Sequence, residues 1–373
     1  MIYFGGATGG AIGGATGGAT GGATGGATGG ATGGATGGAT GGATGGATAQ
    51  HAGSPASSLL STALGTSRDS IVGHWNGGYD GVVIANPEIP TDLSYLTDST
   101  KTVVLTSHLA SMFVVDAQIA APDVATATIH FQGKPFMTLE RPDIAVFINQ
   151  LKWVRAYADL RLDRLAEIQV QLFDIMSFFG TITQIADGRR ENVKRLLQIT
   201  QGVCISVEQQ VKHGLRSHRP IDLSNNVQPI IQTPDHSSFP SGHATEAFAI
   251  ATVLHRLRTG AAPDPLAMEF RLAHRIAANR VVAGVHFPVD SIAGAQLGCR
   301  IGEAIAAAAQ EKSGVKALRA GQVAFPKDYN EDATLATMFE DSSYEGAAIA
   351  IADIKPSKLV ADLWGAALEE VTP

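Results

Sequence analysis

From Gly5 to Thr48 the chain repeats the tetrapeptide Gly-Gly-Ala-Thr, broken once at Ile12. Glycine at this density opposes helix formation, each residue by roughly 1 kcal/mol relative to alanine. The four-residue period does not match the three of collagen, and the aspartates of calcium-binding glycine repeats are missing. One reading is a disordered tail. The other uses strand geometry: alternation places Gly and Ala on one face and Gly and Thr on the other, small flat faces through which several chains could stack. On that reading the repeat makes the protein a homo-oligomer. On either, the fold must come from the residues beyond Gln50 in this 373-residue chain, which are enough for one large domain or two small ones.

The net charge of −7 argues against a nucleic-acid partner, which would call for a basic face. Any anion site must be a local concentration of cations on an acidic protein. Two cysteines, Cys204 and Cys299, are too few for a disulfide framework and sit in apolar, helix-like contexts. Apolar runs such as Ala247 to Leu254 and Ala304 to Ala309 fall well short of the roughly 20 residues needed to span a bilayer. The start, Met1-Ile2-Tyr3-Phe4, lacks the basic and apolar regions of a signal peptide. A soluble cytoplasmic protein with no membrane span is the default expectation, with export by another route left open.

Helical periodicity strengthens from Pro142, where Ile144, Phe147, Ile148, Leu151, Val154, Tyr157 and Leu160 recur mostly at three- and four-residue spacing. Further helices are expected over 162–179, 190–218, 241–258, 265–279 and 288–310, with shorter ones over 333–339 and 357–371. Residues 102–121 also read as helix-like, and the core shows no convincing strand alternation. The expected class is therefore all-α, a helical bundle joined by functional loops. The chain divides into four regions: the repeat tail 1–50, a helical and irregular region 51–140, a helical core 141–312 and a C-terminal extension 313–373.

Three stretches carry chemistry. In Lys212-His213-Gly214-Leu215-Arg216-Ser217-His218-Arg219-Pro220, Lys212 and Arg219 lie seven apart, close to two helical turns, and are expected on one face. Alone, such a pair is usually solvated surface. In Phe239-Pro240-Ser241-Gly242-His243 a helix opens on a hydroxyl, a glycine that lets backbone approach an anion, and an imidazole. The plain alternative is an ordinary Ser N-cap. In Asn279-Arg280 and His286-Phe287-Pro288-Val289-Asp290, the four-residue spacing lets Asp290 accept from one nitrogen of His286 and free the other. The plain alternative is a surface pair at a helix start.

Taken together and in order, the three stretches resemble the signature of the superfamily that joins type-2 phosphatidic-acid phosphatases, soluble acid phosphatases and vanadium haloperoxidases. The match runs through Lys212, Arg219 and Pro220, then Pro240, Ser241, Gly242 and His243, then Arg280, His286 and Asp290, with Asn279 where the family usually has Ser. It covers about residues 140–312. The resemblance implies a tetrahedral-oxyanion pocket in which Lys212, Arg219, Ser241, Gly242 and Arg280 bind the oxygens. In the phosphatase version His286 attacks phosphorus, His243 protonates the leaving alcohol and then activates water, and Asp290 orients His286. In the haloperoxidase version His286 binds vanadate, a Lewis acid toward peroxide, while Lys212 polarises and His243 handles protons.

Two features favour the haloperoxidase version. His236 lies seven residues before His243, where bromoperoxidases of the family carry a second His, and the long helical region before Lys212 is similar to soluble bacterial haloperoxidase-like proteins. The expected activity is thus oxidation of halide, bromide above others, by peroxide at a vanadate cofactor. The alternatives are a soluble acid phosphatase acting on phosphate esters, with phosphate in place of vanadate, and a self-assembling structural protein with a vestigial pocket.

Overall fold

Residues 58–72, 90, 92–121, 124–186, 188–339 and 348–371 are described in a computed structural model. The Gly-Gly-Ala-Thr repeat, and the self-association expected of it, lie outside the described residues. The chain divides into two units, Met1–Val104 and Leu105–Pro373. In the first, α1 spans Ser58–Val72 and α2 (Asp98–Ala110) begins. The second holds the end of α2 and every later element.

The second unit is mainly helical, as expected, and adds a small sheet over residues for which no strand alternation was read. β1 (Phe113–Ala121), β2 (Val124–Phe131) and β3 (Lys134–Glu140) form an antiparallel meander, and β4 (Gly321–Val323) adds to β3 in parallel. The helix-like stretch 102–121 is thus a helix only as far as Ala110. In β2, Ala125, Ala127, Ile129 and Phe131 are buried, while Thr128 meets Thr138 across the strands at 3.0 Å. Alanine and threonine in alternation give the two-residue period little hydropathic contrast, which is why it reads weakly. The β2–β3 turn is Gln132-Gly133, both at positive φ (49° and 78°), the geometry that matches strand twist in two-residue hairpins.

The remaining helices of two turns or more are α3 (Ile144–Tyr157), α4 (Arg161–Gln171), α5 (Met176–Thr183), α6 (Glu191–Leu215), α7 (Gly242–Thr259), α8 (Met268–Val282), α9 (Pro288–Ala308) and α10 (Lys358–Val371), with single turns at Pro220–Leu223 and Leu335–Met338. The single helix expected over 162–179 is two, broken between Gln171 and Met176, where the Asp174 carboxylate accepts the Ser177 N–H at 2.9 Å. α6 stops at Leu215, short of His218, where Arg216 takes a left-handed conformation (φ 50°).

α7 is the centre of the core. From Gly242 to Leu257 every residue except His243 is buried. α9 lies against it through glycines: a Cβ at Gly294 would sit 2.5 Å from Ser241 O, and one at Gly298 would collide with Thr245 O. The close approach brings the first turns of both helices together, and the Ser241 N–H donates to Asp290 O at 2.8 Å. Two helix N-termini, each a source of unpaired N–H groups and positive potential, are thereby fixed side by side.

Candidate active site

Lys212 occupies the last turn of α6 and is fully buried. Its ammonium donates to Pro240 O (2.5 Å), Ser237 O (3.1 Å) and Ser238 O (3.4 Å), which shapes the loop entering α7. Burial pulls Lys212 down to about 8. Arg219 does not share a helical face with Lys212, as their spacing suggested. The chain turns at Arg216, and Arg219 caps a separate turn, Pro220–Leu223. It reaches the same place from there, donating to His236 O (3.0 Å), Val285 O (2.8 Å) and Ser237 O (3.3 Å) and meeting His286 Nε2 at 3.1 Å.

That last contact sets the state of His286. Its Nδ1 lies 3.0 Å from Asp290 Oδ2 and its Nε2 faces a guanidinium, which can only donate. Nδ1 therefore carries the proton and Nε2 the lone pair. Burial, then Arg219 and Lys212, hold His286 well below the usual imidazole range, so the ring is neutral. Asp290 accepts the Phe287 N–H at 2.8 Å, and burial pushes its carboxyl up to about 7.

Across the pocket, His243 Nε2 donates to Gln171 O at 2.8 Å, which leaves Nδ1 as the nitrogen that can exchange a proton. Burial and the charge of Arg280 bring His243 down to about 3. Arg280 donates from Nη2 to Gln171 Oε1 (3.2 Å) and Ile168 O (3.3 Å). His236 is half-buried, with Nδ1 3.2 Å from Arg219 Nη2, and burial followed by Lys212 and Arg219 lowers its pKa.

Several donors here have nothing to donate to. Ser241 is the N-cap of α7, yet its hydroxyl makes no capping bond and is buried without a partner. Arg280 Nε and Nη1 and Gln171 Nε2 are likewise buried and unpartnered. A buried polar group left unsatisfied costs about 1–3 kcal/mol, so a cluster of such donors points to a ligand rich in acceptor oxygens. The set could hold an anion rich in acceptor oxygens: Lys212, Arg219 and Arg280 bring cations, Ser241 and Gln171 neutral donors. His286 offers a lone pair at Nε2, and His243 a second ring nitrogen, Nδ1, at which a proton can be taken up and released.

Gln171, Glu208 and Glu246 were not expected. Gln171 is held by Asn279, whose Nδ2 donates to its Oε1 at 3.0 Å, so the residue that departs from the family pattern orients a neighbour of Arg280. Nothing in the sequence links residues so far apart. Glu208 and Glu246 were open to detection, since they stand one turn from Lys212 and Gly242. The Glu208 carboxyl fills the space a Cβ at Gly242 would need. Burial drives Glu208 well above the carboxylate range and Glu246 to about 7.

Every charged and imidazole group of the cradle falls within a stretch that a family model described as "PAP2 superfamily" matches, residues 196–313. Residues 196–313 form a PAP2 superfamily domain. Three curated proteins are similar to part of this chain. Decaprenylphosphoryl-5-phosphoribose phosphatase of Mycobacterium tuberculosis, from strains CDC 1551 / Oshkosh and ATCC 25618 / H37Rv, is 35% identical over 92 residues, 25% of this chain and 48% of the relative. The protein of the same name from Mycolicibacterium smegmatis is 37% identical over 86 residues, 22% of this chain and 42% of its own. The chain thus spans about half the length of the curated relatives it matches. Among the described residues no helix is long and apolar enough to cross a membrane. The similarity is thus to a PAP2 domain and to proteins named as phosphatases.

Proposed function

We propose that this PAP2 domain hydrolyses phosphate monoesters through a phosphohistidine on His286. The observation that carries the reading is the state of that ring: Nδ1–H held by Asp290, and a neutral Nε2 lone pair beside Arg219. Lys212, Arg219, Arg280, Ser241 and Gln171 would take the phosphoryl oxygens. Their charge grows in value as the phosphorus becomes five-coordinate in a water-poor site. Binding of the phosphate dianion offsets the charge of Arg280 and lets His243 take a proton from solvent on Nδ1; His286 Nε2 then attacks phosphorus, the P–O bond to the alcohol breaks, and His243 gives that oxygen its proton. In the second half His243 takes a proton from water, the hydroxide attacks phosphorus, the P–N bond breaks, and inorganic phosphate leaves with His286 neutral again. The phosphatase names of the relatives support this direction over the halide oxidation that His236 suggested.

His236 still favours a second reading. The unpartnered donors suit vanadate as well as phosphate, since the two share shape and charge. In that case His286 would be its protein ligand, vanadate would supply Lewis-acid activation, and His236 and His243 would manage protons at the mouth. One pair of assays on the purified chain separates the readings: p-nitrophenyl phosphate hydrolysis, and bromide-dependent halogenation with orthovanadate and peroxide. Hydrolysis without halogenation is expected. Halogenation without hydrolysis would sink the phosphatase reading.

A further inference from the structure

Glu208 has no role in the steps above, yet it stands against them. It lies one turn before Lys212 on α6 and is 2% exposed. Its carboxyl rests on the first turn of α7: a Cβ at Gly242 would lie 3.1 Å from Glu208 Cδ and 3.2 Å from Oε2. That Oε2 is buried, and among the described residues nothing donates to it. Lys212 has other acceptors, since its three ammonium hydrogens meet three carbonyls, those of Ser237, Ser238 and Pro240. On α7 a second carboxyl, Glu246, stands one turn after Gly242, and its Oε2 accepts the Gln201 Nε2–H at 2.7 Å. The titratable groups that bear on Glu208 are therefore Cys204 and Lys212 from α6 and Glu246 from α7, with the Cys204 thiol kept protonated by burial.

An ionised carboxylate only accepts hydrogen bonds, and here one of its oxygens would be buried with no donor, beside another acid. Such a group takes up a proton instead. Burial first, then Glu246, drives Glu208 well above the carboxylate range, with Lys212 pulling the other way. Protonation inverts the chemistry of Oε2, from an acceptor without a donor to a donor without an acceptor. That puts Glu208 in the same class as its neighbours at the end of α7 and across the pocket, the Ser241 hydroxyl and Arg280 Nε and Nη1, which are also buried donors with nothing to meet.

We infer that Glu208 is a further anion-binding residue, a neutral carboxylic acid whose O–H donates to an oxygen of the oxyanion held at the start of α7. The inference rests on reading the cradle as an oxyanion site, but it needs no turnover. The proton stays on Glu208 throughout, so no bond to it forms or breaks. An acid placed here would ordinarily repel an anion. Kept neutral, it adds a donor in a water-poor site where a hydrogen bond to a charged oxygen is strong. A donor also fixes the ligand class: tetrahedral oxyanions, and monoester heads, whose non-bridging oxygens carry no proton and can all accept.

The test uses the full chain, inorganic phosphate as the probe, and two variants: Glu208→Gln, which keeps a neutral donor in the same place, and Glu208→Leu, which keeps only the bulk. In calorimetry Glu208→Gln should bind phosphate within about threefold of the parent, and Glu208→Leu at least about tenfold more weakly, the loss of one hydrogen bond to a charged acceptor. Binding at least about tenfold tighter in Glu208→Gln would show that a negative charge had been removed, and equal weakening in the two variants would show a packing role; either overturns the proposal. Infrared spectra keep the question open to refutation if Glu208→Leu does not fold. At pH 8 Glu246 and Asp290, each held at about 7, are mostly ionised. The difference spectrum of parent minus Glu208→Gln should then show the carbonyl band of one protonated carboxylic acid, and added phosphate should shift that band. No such band, a band that phosphate leaves in place, or a parent chain that binds no phosphate overturns the proposal. The expected pattern without p-nitrophenyl phosphate hydrolysis supports Glu208 and sinks the phosphatase reading alone; hydrolysis with an ionised Glu208 does the reverse.

Discussion

α7 and α4 meet at the hydrogen bond between His243 and Gln171, and they are opposites. α7 is alanine-rich and buried on nearly every side, and its first turns bring Gly242, His243 and Glu246 to the candidate site. α4 turns Arg161, Arg164, Glu167 and Gln171 toward the protein and leaves Leu162, Leu165 and Val170 exposed beside Asp163 and Gln169. Sequence hydropathy would rank α4 as the ordinary amphipathic helix, since both kinds of side chain are present at the right spacing. Which face turns inward is decided by partners far away in the chain, Asn279, Arg275 and the carbonyls of residues 227, 228 and 282. Burial of α7 serves rigidity, as a cradle for an anion must be held in place before the anion arrives.

The contrast can be broken at several points. The largest effect is expected at His286: His286→Ala should lower turnover of a phosphate ester by at least about a thousandfold with the fold intact by circular dichroism, since no other group can accept the phosphoryl. Retained turnover would refute the site. At the α7–α9 contact, Gly298→Val should destabilise the chain by about 3 kcal/mol in urea unfolding, because a side chain there meets the Thr245 backbone. An unchanged midpoint would mean that α9 does not rest on α7. Gln171→Ala keeps the carbonyl that holds His243 but removes the amide beside Arg280, and kcat/KM should fall about tenfold, mostly through KM.

The pH dependence tests the cradle's charge. Burial holds Lys212 at about 8, so its positive charge is present below that pH and lost above it. The kcat/KM for a phosphate ester should decline above pH 8. In Lys212→Arg the decline should move to higher pH, because a guanidinium stays charged; an unmoved limb would assign it to another group. The smallest effect belongs to the edge of α4: Leu162→Ser should leave the stability of the free protein within about 0.5 kcal/mol, which unfolding in urea would show.

The cradle was largely legible in the sequence because its members come in short local clusters, around Lys212, Ser241 and His286, whose spacing alone puts them near helix ends. Their roles as partners were legible only where the spacing is one helical turn, as for His286 and Asp290. Lys212 and Arg219 show the limit, since the helix that would have aligned them ends at Leu215 and the pair still converges. Gln171 was invisible, because its contacts are made across more than seventy residues. The sheet was missed for a different reason: in β2 the inward residues include Ala125 and Ala127 and the outward ones are threonines, so the alternation carries little contrast. Asn279, a minor departure from the family pattern, orients Gln171.

The reading of His286 as a nucleophile is tested most directly by trapping. The chain would be mixed with a phosphate ester, quenched in base, where phosphohistidine survives, and digested for mass spectrometry. The expected result is one phosphoryl group on the peptide carrying His286, absent from His286→Ala and accumulating when His243 is changed to Ala, since the second half of the cycle then lacks its base. Turnover of the ester with no phosphoryl group on His286 at any quench time would contradict it.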